Sequence, residues 1–187
     1  MSLSLTPILA LAVVVIAGLV LVSLYNRLVR LRNGVENAFA SIDVQLKQRC
    51  DLVPKVVEAM REYMGHERGT FEELTSLRER ASAAGTSPDD RLKLDQVMSG
   101  LLRDLSVRAE AYPDLKASDT VTMLQRSLNE VEAQIAAARR TFNAAVTSYN
   151  TAIETVPANL VAGLFGFGRR ALFEAAADER AVPITRR

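Results

Sequence analysis

The sequence contains no tryptophan, one cysteine, one histidine and only 5% aromatic residues among 187. A single cysteine excludes an internal disulfide framework and a cysteine-based zinc cluster. One histidine leaves little from which to build a catalytic metal site, which normally takes three protein ligands. No phosphate-binding loop, nucleophile motif or dinucleotide fingerprint occurs in the chain. The formal net charge of +1 gives no reason to expect a nucleic acid as a partner. These absences favour a protein that is not an enzyme and that uses no cofactor or metal.

Charge is missing altogether from the stretch Leu3–Leu24. About 22 residues of helix are long enough to cross the hydrocarbon core of a bilayer. A cleavable signal peptide would begin with basic residues, which Met1–Pro7 lacks, and a buried core helix is seldom apolar on every side. The sequence therefore predicts a transmembrane anchor over residues 1–24.

Basic residues occur only on the C-terminal side of this anchor, where Arg27, Arg30 and Arg32 follow within eight residues. The positive-inside rule then places the large C-terminal part in the cytoplasm. A different insertion route would reverse this orientation, so a periplasmic or extracytoplasmic location is the alternative.

Apolar residues recur at helical spacing in the rest of the chain, and the abundance of alanine, leucine, arginine and glutamate also favours helices. We predict helices at about residues 25–50, 51–83, 88–111 and 118–155. Asp51 can cap a helix and Pro54 is costly in a helix interior, which indicates a tight turn or sharp kink near residues 49–52. The apolar stripe keeps its phase across Pro54, so a single kinked helix is the alternative.

Short connections between amphipathic helices are typical of bundles. The predicted fold class is therefore all-α, with an N-terminal transmembrane helix followed by an antiparallel up-and-down four-helix bundle over residues 25–157. In this topology the chain returns to the membrane at Pro157. Residues 158–187 then form a C-terminal aromatic segment and a tail near the membrane surface, which either contacts lipid or covers the end of the bundle.

Aromatic–asparagine pairs recur at Tyr25-Asn26, at residues 142–143 and at Tyr149-Asn150. The last two pairs are seven residues apart and share one face of the fourth predicted helix. They either fix the core and its register or form a polar docking patch near the bilayer. The candidate interaction residues are Tyr25, Asn26, Asn143, Tyr149, Asn150, Phe165 and Phe167.

His66 is the one histidine of the sequence and is followed by Glu67, and Glu62 lies four residues before it. On a continuous helix that spacing would place two potential metal ligands on one face. A solvated or hydrogen-bonded histidine is the simpler interpretation. Cys50 is interpreted as a packing residue rather than a nucleophile.

Several motifs follow the apolar stretch in a fixed order. They are Tyr25-Asn26-x-Leu28, Ile42-Asp43-Val44-Gln45-Leu46-x-x-Arg49, Asp51-Leu52-Val53-Pro54, Gly65-His66-Glu67, Ala111-Tyr112-Pro113-Asp114, Arg139-Arg140-x-Phe142-Asn143, Tyr149-Asn150 and Phe165-Gly166-Phe167. In order and spacing, these motifs resemble the LemA family of bacterial membrane proteins. The resemblance implies a single N-terminal span, an antiparallel four-helix domain and an envelope location in bacteria. It implies no established reaction and no catalytic residues.

The sequence therefore predicts a single-pass protein of the bacterial cytoplasmic (inner) membrane that acts as a non-enzymatic scaffold or adaptor. Its expected partners are the lipid bilayer, through Leu3–Leu24, and another membrane or envelope protein. One alternative is a homo-oligomeric structural protein, because the stripe Ile42, Leu46, Val53, Val57 resembles a coiled-coil seam. Another is a regulator or metal-binding enzyme that uses His66.

Overall fold

A computed structural model of the chain describes the backbone of residues 5–173 and the side chains of residues 7–173, except those of residues 88 and 89. All regular elements within residues 5–173 are helical, which confirms the predicted all-α class for this part of the chain. They are α1 (Leu5–Arg61), a 3₁₀ turn (Gly65–Glu67), α2 (Arg68–Ser82), α3 (Pro88–Ala109), α4 (Pro113–Lys116), α5 (Asp119–Glu154) and α6 (Ala158–Phe165). Residues 174–187 of the predicted tail lie outside the described residues.

Helix α1 runs without a break from Leu5 to Arg61 and contains Pro54 in its interior. The prediction of a tight turn near residues 49–52, with separate helices on either side, is therefore wrong, and these residues belong to one helix, as in the alternative of a single kinked helix. A proline in a helix interior costs about 3 kcal/mol. Four apolar side chains close to it, one before and three after, are buried, and each contributes about 1.5–3 kcal/mol. They are Val53, Val56, Val57 and Met60. Their burial outweighs the cost of the proline.

The break falls instead after Arg61. The amides of Tyr63 and Met64 both donate to the carbonyl of Met60, at 3.1 and 3.0 Å, and close the helix end. The 3₁₀ turn starts at Gly65, a residue that lowers helix propensity by about 1 kcal/mol relative to alanine. This connection therefore divides the predicted second helix, and only its later part forms α2.

Helix α3 begins at Pro88, as predicted, and the Ser87 hydroxyl accepts a hydrogen bond from the Asp90 amide at 3.1 Å. Its end at Ala109 and the bounds of α5 lie within two residues of the predicted positions. The Tyr112-Pro113-Asp114 connection does end α3, but it also starts the short helix α4, which was not predicted.

The chain separates into two compact units. The first, here called the terminal unit, combines residues up to Phe39 with those from Arg139 onward, and the second, the central unit, comprises Ala40–Ala138. Helix α1 is the one helix of the described residues that is long and apolar enough to cross a membrane. Its large apolar side chains from Ile8 to Val22 are between 46% and 68% exposed. One antiparallel bundle over residues 25–157 stays a prediction.

The central unit has an apolar core made by α1, α2, α3 and α5. Phe71, Leu74, Met98 and Leu105 are among its fully buried side chains. The part of α1 that faces this core reads Ile42, Leu46, Arg49, Val53, at alternating steps of four and three residues. An arginine thus occupies a position that its helical spacing assigns to the core.

Arg49 is only 2% exposed and donates to Asp95, which is 4% exposed, with 2.8 Å between Nη1 and Oδ1. The same guanidinium also donates to the Ser99 hydroxyl and to the carboxylate of Glu132. Helices α1, α3 and α5 each contribute a polar group, so this network ties three helices together. Buried charges are tolerated only when they are paired in this way.

Removal of one partner should be more harmful than the loss of an exposed ion pair. We expect Asp95→Ala to lower the free energy of unfolding by about 3 kcal/mol, because it leaves a buried guanidinium short of a carboxylate. Urea unfolding of the full-length protein in detergent, followed by circular dichroism, measures this change. Glu132→Ala, at a half-exposed carboxylate, is the matched control and should cost clearly less. Equal destabilisation by the two variants would contradict the importance of the buried pair.

Candidate functional site

The candidate site lies in the terminal unit, around residues 166–173, here called the C-terminal segment. Gly166 ends α6 in the left-handed conformation, with φ of 70°, which a side chain would strain. The Phe167 amide donates to the Ala162 carbonyl at 2.9 Å and closes the turn. This turn redirects the chain, and the segment then follows α5 from Gly168 to Phe173.

Two asparagines of α5 hold the backbone of this segment. The Asn150 amide donates to the Arg170 carbonyl at 2.8 Å and accepts from the Arg170 N–H at 3.0 Å. Asn143 makes the same pair of bonds with Phe173, at 3.1 and 2.8 Å. An asparagine side chain carries a donor and an acceptor side by side. Each one therefore satisfies both backbone groups of a residue, as a neighbouring β-strand would.

The spacing of the two asparagines matches the spacing of their partners. Seven helical residues rise about 10.5 Å, and three extended residues cover about 10 Å. The segment runs opposite to α5, because the later asparagine holds the earlier residue. The interval of seven in the aromatic–asparagine motif thus fits an extended chain laid along one helix face.

Asn143 and Asn150, with the backbone groups that they bind, are here called the asparagine clamp. Aromatic side chains pack around this clamp at two levels along α1. At one level, the Tyr25 ring contacts those of Phe165 and Phe167, with centroids 4.9 and 5.7 Å apart. The Arg32 guanidinium carbon lies 5.3 Å from the centre of the Phe167 ring, within the range of a cation–π contact. Edge-to-face contacts of this kind add to the burial of apolar area.

At the second level, the rings of Phe39, Phe142 and Phe173 form a cluster, with centroid separations of 5.1 to 6.4 Å. Between the two levels, the buried Tyr149 donates its hydroxyl to the Gly168 carbonyl at 3.0 Å. The C-terminal segment is therefore fixed by apolar contacts at both ends and by side-chain hydrogen bonds along its length.

Six of the seven predicted interaction residues meet at this clamp: Tyr25, Asn143, Tyr149, Asn150, Phe165 and Phe167. Asn26 does not join them. Its side chain is exposed and makes no hydrogen bond to the described part of the chain. Both asparagines of α5 are engaged with the chain's own backbone. The geometry therefore favours the structural interpretation of these pairs over an unoccupied docking patch.

His66 and Glu67 lie in the 3₁₀ turn of the central unit, away from any helix interior. Because α1 ends at Arg61, Glu62 and His66 do not share a helix face, so the placement of both on one continuous helix is wrong. His66 is exposed, and Glu67 pairs with Arg108. No cluster of three metal-ligating side chains occurs among the described residues.

Sequence reasoning missed both the partners of the asparagines and the Arg49 network. A charged residue at a stripe position, with Asp95 at a similar position among Leu92, Met98 and Leu102, was a signal for the network. No comparable signal identified the C-terminal segment as the partner of α5, since its contacts join residues 20 and 30 positions apart.

Cys50 lines a cavity of about 380 Å³ in the central unit, together with Lys47, Arg78 and Ser82. The cysteine is only 6% exposed, and burial raises the pKa of its thiol. A raised pKa disfavours the thiolate, which is the nucleophilic form. The cavity therefore does not have the properties of a cysteine nucleophile site.

Comparison with known proteins places this sequence in a family. The sequence model of the LemA family matches residues 38–186, most of the chain. The chain belongs to the LemA family. The match includes both clamp asparagines and the C-terminal segment, and it confirms the resemblance inferred from the motifs.

Individual proteins are also similar to this chain. The protein named LemA from Metamycoplasma hominis is 29% identical over 155 residues, which are 83% of this chain and 71% of that protein. The magnetosome protein MamQ 2 of Paramagnetospirillum magneticum is 25% identical over 175 residues, covering 80% of this chain and 64% of its own length. The magnetosome protein MamQ of Magnetospirillum gryphiswaldense is 24% identical, with coverage of 78% and 62%. The chain thus spans less than two thirds of the two magnetosome proteins.

Loss of the clamp should release the C-terminal segment of this LemA-family protein. The double variant Asn143→Ala/Asn150→Ala removes four side-chain–backbone hydrogen bonds, each worth about 0.5–1.5 kcal/mol. We expect trypsin to cleave after Arg169 and Arg170 at least about tenfold faster than in the wild type, the change that 1.4 kcal/mol gives. Mass spectrometry of the released peptides measures the rate. Asn26→Ala is the control, and trypsin should cleave it at the wild-type rate. If the double variant were cleaved no faster than this control, the clamp would be refuted.

Burial of Cys50 makes a second prediction. Iodoacetamide should modify the folded protein at pH 8 far more slowly than the urea-unfolded chain, because burial raises the pKa of the thiol and limits access to it. The raised pKa also means that the folded state loses stability as pH rises above the ordinary thiol value of about 8.5. Cys50→Ala should lack this part of the pH dependence. Equal alkylation rates in folded and unfolded protein would exclude a buried thiol.

Proposed function

We propose that this LemA-family protein is a membrane-anchored helical scaffold or adaptor of the bacterial cell envelope, without catalytic activity of its own. The anchor is Leu3–Leu24, it crosses the cytoplasmic membrane once, and the C-terminal part lies in the cytoplasm. The extracytoplasmic orientation is the alternative. In this proposal, residues 25–157 form the antiparallel four-helix bundle.

The observation that carries the proposal is the continuity of α1. Its first part exposes large apolar side chains on every side, as a lipid-embedded helix does, whereas its later part buries a stripe that includes Leu28, Ile42 and Met60. No turn separates the two parts. A helix of this kind transmits the position of the membrane directly to the folded part of the chain, which suits a protein that presents a surface beside a bilayer.

The relatives support a structural role. Two of them are named magnetosome proteins, and none of the three names contains an enzymatic activity. By analogy, the protein contributes to an assembly at a membrane.

The two alternatives have less support. The stripe Ile42, Leu46, Val53, Val57, which suggested a coiled-coil seam between copies, is buried within the chain itself. A homo-oligomer would have to use another surface. The regulator or enzyme alternative depended on His66, which is exposed and does not share a helix face with Glu62.

Exposed apolar side chains of the central unit are where a protein partner would bind. Val107 and Met123 are 64% and 61% exposed. A photo-crosslinking residue at each position, in full-length protein in intact native membranes, should capture one specific membrane or envelope protein after affinity purification and mass spectrometry. The same residue at Glu72, an exposed polar position, is the matched control.

Capture of a second copy alone would replace the adaptor by a self-assembling structural protein. The same set of products at Val107, Met123 and Glu72 would mean that contacts are unspecific, and the adaptor proposal would fail.

A further inference from the structure

Helix α6 buries one face and exposes a strongly apolar one. Ala158, Val161 and Ala162 are buried in the terminal unit. On the other side, Leu160 and Leu164 are 71% and 79% exposed. Phe165 and Val156, at the two ends, are also mostly exposed. Single exposed apolar residues are common on protein surfaces, but a group on one short helix marks an interaction site.

The level of α6 along α1 follows from a shared cavity at its start and a ring contact at its end. At its start, Val156, Pro157 and Ala158 share a cavity of about 380 Å³ with Leu24 and Arg27 of α1. At its end, the Phe165 ring contacts the Tyr25 ring at 4.9 Å.

These two observations indicate the direction of the helix. Eight residues of helix are about 12 Å long, so a helix parallel to α1 would have its ends about eight residues apart on α1. Instead, the cavity at its start and the ring contact at its end both involve the single turn of α1 that contains Leu24, Tyr25 and Arg27. Helix α6 therefore lies across α1.

That turn is where the uncharged stretch of α1 ends. Leu24 is the last aliphatic residue before Tyr25 and Asn26, and the first charged residues, Arg27 and Arg30, follow. Tyrosine and arginine at the end of an apolar span are typical of the membrane–water interface. A helix that crosses α1 at this level lies in the plane of the interface.

We infer that α6 is a second membrane contact: an in-plane helix that inserts Leu160, Leu164 and Phe165 at the boundary between lipid headgroups and acyl chains. Arg27 and Arg30 of α1, both exposed and just beyond Tyr25, provide charges that complement anionic headgroups. Arg169 and Arg170, just beyond the turn at Gly166, are instead paired with Glu154 and Glu36. Phe167 is buried against Tyr25 and Arg32, so the C-terminal segment covers the terminal unit while α6 meets the lipid. This inference rests on the proposed anchor, because it requires α1 to be in the membrane.

The absence of tryptophan from the sequence provides a direct test, since an introduced tryptophan is a unique fluorophore. Full-length Leu164→Trp is reconstituted into vesicles of phosphatidylethanolamine and phosphatidylglycerol whose acyl chains carry bromine near the headgroup. We expect the tryptophan to lose most of its fluorescence. The substitution is at a highly exposed position, so the fold should tolerate it, and Leu160→Trp on the same face is a second test with the same expected result.

Two further variants separate the inference from the anchor on which it rests. Val15→Trp, in the middle of the uncharged stretch, should be quenched most by bromine deep in the acyl chains. Ala144→Trp should not be quenched. It is exposed on α5 two residues from Phe142, whose ring contacts Phe39, about 21 Å along α1 from Tyr25.

Quenching of Val15→Trp without quenching of Leu164→Trp and Leu160→Trp would overturn the inference and leave the anchor intact. The exposed face of α6 would then meet water or a protein. Absence of quenching at all three positions would overturn the proposed anchor as well.

Discussion

Burial of the α1 stripe is the interaction on which the rest of the structure depends. From Leu28 to Met60, apolar side chains recur at steps of three and four residues, and both compact units use this one helix. The same regularity carries α1 through Pro54 without a break. Isolated helices gain little stability by themselves, so it is packing against this stripe that stabilises α2, α3 and α5.

Within the central unit, specificity is added by a buried charge. Arg49 occupies a stripe position, and it pairs with a buried carboxylate from α3 and a half-exposed one from α5. Apolar side chains can slide along one another at small cost, whereas a buried guanidinium has few acceptable positions for its partners. The network therefore favours one register of the three helices.

In the terminal unit, by contrast, polar side chains hold the extended C-terminal segment on helix α5. An extended backbone has unpaired N–H and C=O groups, and the clamp asparagines pair them. The segment in turn covers aromatic rings of α1 and α5. With the C-terminal segment held in this way, α6 is fixed across α1 at the end of the uncharged stretch, where the proposed membrane surface lies.

The sequence by itself determined what local physical chemistry controls: the uncharged span, the helical periodicity, the start of α3 at Pro88, the all-α class and the family. It also singled out the residues that meet at the clamp. Tertiary structure decided the rest, because the cost of Pro54 could be weighed only against the burial of the residues around it. Likewise, the partners of Arg49, Asn143 and Asn150 lie 20 to 83 residues away, and only the folded chain brings them within hydrogen-bonding distance.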